Sequence, residues 1–136
     1  MIIMSVDLGK ARTGIAVSDP TNSFAFPKEV ITEYSTERLI ERICQKAVEF
    51  SAERIVVGYP KNMDGSLGER AVECAEIAEK NKQKSGLQTV LWDERCTTFT
   101  AHNYLNMNNV RGKKRKQTVD AVAAVIILED YLRSLK

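Results

Sequence analysis

One histidine, one tryptophan, three prolines and three cysteines are all that 136 residues contain, and each scarcity closes off a class of explanation. Cys44, Cys74 and Cys96 are odd in number, far apart and without a C-x-x-C pair, so neither a disulfide framework nor a thiolate zinc site is expected. They read as reduced, partly buried thiols. His102 stands alone inside an expected helix, where packing or capping is its ordinary role. No apolar stretch approaches the roughly 18 to 20 residues of a membrane span, and the opening MIIMSVDLG has neither the cationic leader nor the length of a signal peptide. A cytoplasmic protein is expected. No Pro/Gly/Ser-rich linker or composition shift divides the chain, so residues 1–136 are expected to form a single domain. A net charge of +2 is too small to argue for a polyanionic partner by itself; what matters is where the cations sit.

What is present is a strand and helix alternation. IIMSVD (2 to 7) and GIAVS (14 to 18) are β-rich and joined by a glycine-containing turn, and a third extended piece is expected at about 24 to 32 despite Pro27. STERLIERICQKAVEF repeats its apolar residues near a 3.6 period, with Ser35 or Thr36 as N-cap. RIVVG (54 to 58) and TVLW (89 to 92) are short apolar runs that read as buried strands. Between them Ser66-Leu67-Gly68-Glu69 fits a capping box, opening a helix over about 67 to 84 that stops at Gly86. A helix over about 97 to 107, a basic loop and a last helix from about Thr118 to Ser134 complete the order β-β-β-α-β-α-β-α-α. Hairpins join the first three strands, and right-handed crossovers make the others parallel, so an α/β fold with a mixed five-stranded sheet is expected. Trp92 and Tyr59 are expected to pack rather than to stack on bases.

Ligands of open α/β sheets bind beyond the carboxyl ends of parallel strands. Asp7 ends the first strand, and Asp93 and Glu94 end the last. If those strands lie near each other, Asp7 and Glu94 meet at one edge, and Asp120 joins them from the start of the final helix. Each acid alone has an ordinary explanation: turn chemistry for Asp7, capping for Asp93, complementing the helix dipole for Asp120. Together they form a self-repelling cluster that calls for a hard cation, Mg²⁺ being the natural one, and two such ions suit phosphodiester cleavage. The turn Asp7 to Gly14 has the form of a phosphate approach, with Lys10 and Arg12 available to phosphate oxygens. Residues 111 to 116 hold five cations in six, among them Lys113, Lys114, Arg115 and Lys116, which would contact phosphates without reading sequence.

Four stretches, VDLGKARTGIAVSD, VGYPKNMDGSLGERA, DERCTT and KQTVDAVAAVIILEDYL, in this order and at these intervals, resemble the RuvX family, also called YqgF. Its members are known both as Holliday junction resolvases and as pre-16S rRNA nucleases. The resemblance spans essentially the whole chain. It implies a ribonuclease H-like fold similar to the RuvC resolvase, with three antiparallel strands followed by two parallel ones. It also implies a metal-dependent nuclease whose three acids map onto Asp7, Glu94 and Asp120, with Lys10, Arg12 and Arg95 as phosphate contacts. Ala11, where a basic residue is frequent, and Cys96, where an aliphatic one is usual, depart from the pattern without removing an acid.

The expected function is therefore a hydrolase dependent on Mg²⁺ or Mn²⁺, with two ions, processing the 5′ end of pre-16S rRNA in ribosome biogenesis. A Holliday junction resolvase acting on four-way DNA is the alternative within the family, and would require a homodimer, whereas rRNA processing is open to a monomer. A non-catalytic nucleic-acid-binding module would need the cations and not the acids. An actin-like ATPase is suggested by the D-x-G-x4-G turn, but normally needs two such lobes.

Overall fold

The computed structural model describes residues 1–9, 12–59, 68–93 and 112–135, and within these the side chains except at 59, 93 and 112–121. Five strands and three helices occur among them: β1 (Ile3–Leu8), β2 (Arg12–Ser18), β3 (Ala25–Thr32), α1 (Thr36–Glu49), β4 (Arg54–Tyr59), α2 (Glu69–Ser85), β5 (Gln88–Asp93) and α3 (Gly112–Ser134). The expected helix over 97 to 107 lies outside the described residues.

The strands form one sheet in the order β3-β2-β1-β4-β5. β1 pairs antiparallel with β2 and β2 with β3, while β1, β4 and β5 run parallel. Pro27 is tolerated because β3 is an edge strand, and a register irregularity beside it, at Ile15/Ala16, absorbs the missing donor. β4 lies between β1 and β5, and its Ile55, Val56 and Val57 are fully buried, as a continuous apolar run requires. β5 corrects its own expectation. It is the other edge of the sheet, so Leu91 is 38% exposed where a strand buried on both faces was expected.

Alternation along β1 divides the core. Met4, Val6 and Leu8 face α1 and α2, where they meet Ile43, Cys74 and Ile77. Ile3 faces α3, against Ala124, Ile127 and Leu128. Ser5 lies on that second face, fully buried, and its hydroxyl donates to the carbonyl of Ala124 at 2.6 Å. Farther along, Arg54 at the start of β4 donates to the Tyr131 hydroxyl at 2.7 Å, and Trp92 meets Tyr131 edge-on at 5.5 Å. Trp92 is thus a packing residue, as expected. Because Ala124 sits beside Ser5 and Tyr131 beside Arg54, whose register partner is Ile3, α3 runs antiparallel to β1.

Helix boundaries follow capping chemistry, with two corrections. Ser35 caps α1 as expected, accepting from the Arg38 amide, and Gly86 ends α2 in the left-handed conformation at φ 73°. The capping box expected at Ser66 is not what starts α2. Gly68 is its N-cap, with no side-chain cap bond, and Ser66 lies outside the described residues. The second correction concerns the basic segment, which was expected as a loop with the last helix opening near Thr118. The helix instead begins at Gly112 and carries Lys113 to Lys116 in its first turns. Lys, Arg and Gln are good helix formers and no Pro or Gly interrupts 113–134, so propagation from the apolar half outweighs cation repulsion at the helix start. Cys44 is a free thiol, and burial raises it above its ordinary pKa.

Two outcomes follow. Ser5→Ala removes one buried hydrogen bond, and denaturant unfolding should show a loss of about 1 kcal/mol; an unchanged midpoint would show that the bond contributes nothing net. In the β2–β3 turn Asp19 accepts from Thr21, Ser23 and Phe24, and these bonds, that from the Thr21 hydroxyl foremost, lower its pKa from 3.8 to about 2. A depressed carboxylate stabilises the fold above its unfolded value and loses that contribution as pH falls through the folded one. Melting temperatures of wild type should therefore drop between about pH 4 and 2 more steeply than those of Asp19→Asn, and parallel curves would refute the linkage.

Candidate functional site

The carboxyl ends of β1, β4 and β5 lie along one edge of the sheet, and the Asp7 row identifies which residues share it. Asp7 pairs with Gly14 on β2 and Gly58 on β4, and Gly58 pairs with Trp92 on β5. Both lateral neighbours of Asp7 are glycines. Neither glycine projects a side chain beside the half-buried Asp7 within the sheet. β5 is two strands from β1, about 10 Å at ordinary strand spacing. Asp93, the last residue of β5, is paired with Tyr59 at the same edge, and Glu94 and Arg95 lie outside the described residues.

The seating of α3 brings its first half to this edge. Position 120 precedes Ala124 by four residues, about 6 Å of helix, and Asp7 follows Ser5 by two residues, about 6.6 Å of strand. Helix and strand are antiparallel, so the two displacements point the same way from the Ser5–Ala124 bond, and positions 7 and 120 are level. Position 120 also belongs to the helical stripe of Ala124, Ile127 and Tyr131, which packs on the sheet. The ordinary explanation of Asp120 as a helix-start acid no longer applies. With α3 beginning at Gly112, residue 120 is about two turns in, beyond the reach of the N-terminal dipole. Lys113, Lys114, Arg115 and Lys116 occupy the turns before it, and no acid accompanies them in the first turn.

The turn after β1 is tight. The Gly9 amide donates to the Arg12 carbonyl at 2.9 Å, and a Cβ at Gly9 would collide with that same carbonyl oxygen, so only glycine fits. Lys10 lies outside the described residues. Arg12 begins β2 opposite Thr32, and its Nη1 is buried without a hydrogen-bond partner among the described residues. A buried guanidinium nitrogen left unpaired is costly, which makes Arg12 a natural contact for an anion at the edge.

Two residues have bonds here that the motifs do not reveal. Ser5 is the one polar side chain in the IMSV stretch, and that is the signal of its buried bond to α3. Arg70, in the first turn of α2, donates through Nη2 to the carbonyls of Leu8 at 2.8 Å and Gly9 at 2.6 Å. A cation at a helix start, against the dipole, was its available signal. Among the described residues no group of three or more His, Cys, Asp or Glu forms a metal cluster, and of the three expected acids only Asp7 has a described side chain.

Comparison with known proteins bears on both fold and lineage. The "Putative pre-16S rRNA nuclease" of Lachnospira eligens is 42% identical over 137 aligned positions, covering 98% of each chain. Thermus thermophilus RuvC, solved in complex with a Holliday junction substrate, is similar over 100% of this chain and 97% of its own with a TM-score of 0.65 at 13% identity. The fowlpox virus Holliday junction resolvase matches over the full length of both chains with a TM-score of 0.63 at 12% identity. At such identities the likeness establishes the fold, which is the expected ribonuclease H-like one. The family model described as RuvX, Holliday junction resolvase, matches residues 1–134, and this chain belongs to the RuvX family.

Proposed function

We propose that this chain, as a single nuclease domain in the cytoplasm, hydrolyses phosphodiester bonds in structured nucleic acid, its role being maturation of the 5′ end of pre-16S rRNA. The observation that carries the reading is the antiparallel seating of α3 on β1, which levels position 120 with Asp7 where β5 also ends. The relative from Lachnospira eligens, alike over 98% of both chains, supports RNA as the substrate. The family description favours a second reading, cleavage of four-way DNA junctions, for which two copies of the chain would have to present paired sites.

Asp7, Glu94 and Asp120 are the proposed catalytic set, and they would hold one or two Mg²⁺ or Mn²⁺ ions. Hard carboxylate oxygens suit these cations, and glycines flank Asp7 on both neighbouring strands. When bound, such a cation supplies Lewis acidity and neutralises charge in phosphodiester hydrolysis. The protein's own contribution is to hold three like charges at one edge and to bring a phosphate to them. Lys113, Lys114, Arg115 and Lys116 add their charge to the positive end of the α3 dipole, giving a helix start with no acid in its first turn that polyanion binding relieves. Arg12, Lys10 and Arg95 are the proposed contacts nearer the scissile group.

The deciding assay incubates purified protein with precursor rRNA fragments and with DNA junctions in Mg²⁺, Mn²⁺ or EDTA. Cleavage should need the divalent ion, and Asp7→Asn, Glu94→Gln and Asp120→Asn should each lower kcat about 100-fold or more, roughly 2.7 kcal/mol of transition-state stabilisation. Metal-dependent cleavage that survives all three substitutions would falsify the site. Junction cleavage in the absence of rRNA cleavage would replace the first reading by the second. Changing Lys113 to Lys116 together to Ala keeps good helix formers in place, so circular dichroism should not change. The slope of log affinity against log salt should become shallower by about 3, each lost phosphate contact accounting for about 0.7 to 0.9; an unchanged slope removes these cations from the interface.

A further inference from the structure

We infer that Arg70 is a positioning residue: from the start of α2 it locks the strand end and turn that join Asp7 to Arg12, so that carboxylate and phosphate contact keep a fixed separation. The pairing of β1 with β4 ends at Asp7 and Gly58. The next two carbonyls, of Leu8 and Gly9, lie past the last rung of that ladder and both accept from one nitrogen, Arg70 Nη2, at 2.8 and 2.6 Å. Two consecutive carbonyls drawn to a single donor restrict the backbone on either side of Gly9. The guanidinium is itself oriented, because Nη1 pairs with the Glu73 carboxylate at 2.9 Å one turn later on α2.

Position argues that this is more than a surface ion pair. Arg70 is the second residue of α2, where the helix dipole disfavours a cation, and its side chain is only 33% exposed. Placing a desolvated charge there is justified by what it bonds, and what it bonds is the backbone that leads out of Asp7. Gly9 closes the same turn through its amide to the Arg12 carbonyl, so Arg70, Gly9 and Arg12 form one connected unit. A cleft of about 180 Å³ runs along this unit, between Arg70 and Gly9 on one side and the start of α1 on the other.

Overall affinity for a polyanion would come from the cations of α3. Loosening the turn should therefore spoil alignment more than binding. The inference rests on the nuclease reading for its catalytic consequence and on the geometry alone for the lock. In Arg70→Ala, kcat should fall about 10- to 100-fold, the range expected for a misplacement near 1 Å, while KM stays within about threefold. Arg70→Lys should recover most of the loss, since one ammonium carries enough donors for both carbonyls. Amide exchange at Gly9 should quicken at least about tenfold in Arg70→Ala, with the amide of Val6 unchanged, and this readout needs no activity. Exchange at Gly9 that does not change, or a kcat loss that merely tracks the unfolded fraction, overturns the lock. A rise in KM at constant kcat overturns the positioning role and makes Arg70 a binding residue. If wild type cleaves neither RNA nor DNA, the nuclease reading and the catalytic half of the inference fall together, and exchange alone decides whether Arg70 holds the turn.

Discussion

The hydrogen bond from Ser5 to the Ala124 carbonyl sets the register between the central strand and the last helix, and most of the candidate site depends on that register. Apolar packing alone would leave the helix free to slide. Ala124, Ile127 and Leu128 bury equally well against a sheet if displaced by a turn, because the hydrophobic effect has no direction. A buried hydroxyl must be satisfied, and only one helix carbonyl is at the right height. The Arg54–Tyr131 bond fixes the far end of α3, so helix and strand are indexed twice and the first half of the helix has one place to go. Position 120 is level with Asp7 as a result of contacts made elsewhere.

Much of this was legible in the sequence. Strand periodicity, the Ser35 cap and the Gly86 stop located the elements, and the alternation after residue 33 implied parallel pairing. What was not legible has physical reasons. TVLW reads as a buried strand because apolar runs do not say which strand becomes an edge; that is decided by the order in the sheet. The capping box at Ser66 is a four-residue pattern, and such patterns compete with local geometry that a sequence does not display; Gly68 caps without a side chain. The basic run reads as a loop because six residues are too few to fold alone, but it continues a helix already nucleated by a buried apolar half, against a repulsion of only a few tenths of a kcal/mol per pair. Of the candidate site, the sequence placed Asp7 at the edge where the sheet has it; Arg70 lies within one of the stretches that carry the resemblance, but its bonds were not legible there, because its partners are main-chain carbonyls that any residues supply.

Electrostatics at this edge are deliberately unbalanced in space. Asp7 is flanked in its row by two glycines, while cations gather where α3 begins and Arg12 carries a buried nitrogen without a partner among the described residues. Each arrangement costs stability when considered alone. A helix start crowded with lysines opposes its own dipole, and one buried guanidinium nitrogen lacks a bond among the described residues. Their cost makes sense if both are completed by the same anion, since a polyphosphate chain satisfies several cations at once. Sites that break the rules obeyed by the rest of a fold are where function is to be sought.

One further consequence follows from α3 being a single uninterrupted helix. Residue 116 precedes residue 120 by four positions, about 6 Å along the axis, and residue 113 by seven, about 10 Å. Successive phosphates of a helical strand rise about 3.4 Å. On the proposed reading, the helix that grips the backbone is the same rigid body that presents the third carboxylate, so a phosphate held at its first turns sets which phosphodiester, a few nucleotides on, reaches Asp7. A flexible basic loop would have supplied the same charge without that measure. Extending the helix back to Gly112 therefore changes what the basic run would contribute under the proposed function: it would couple binding register to the position of cleavage, through a helix whose height on the sheet is fixed by Ser5.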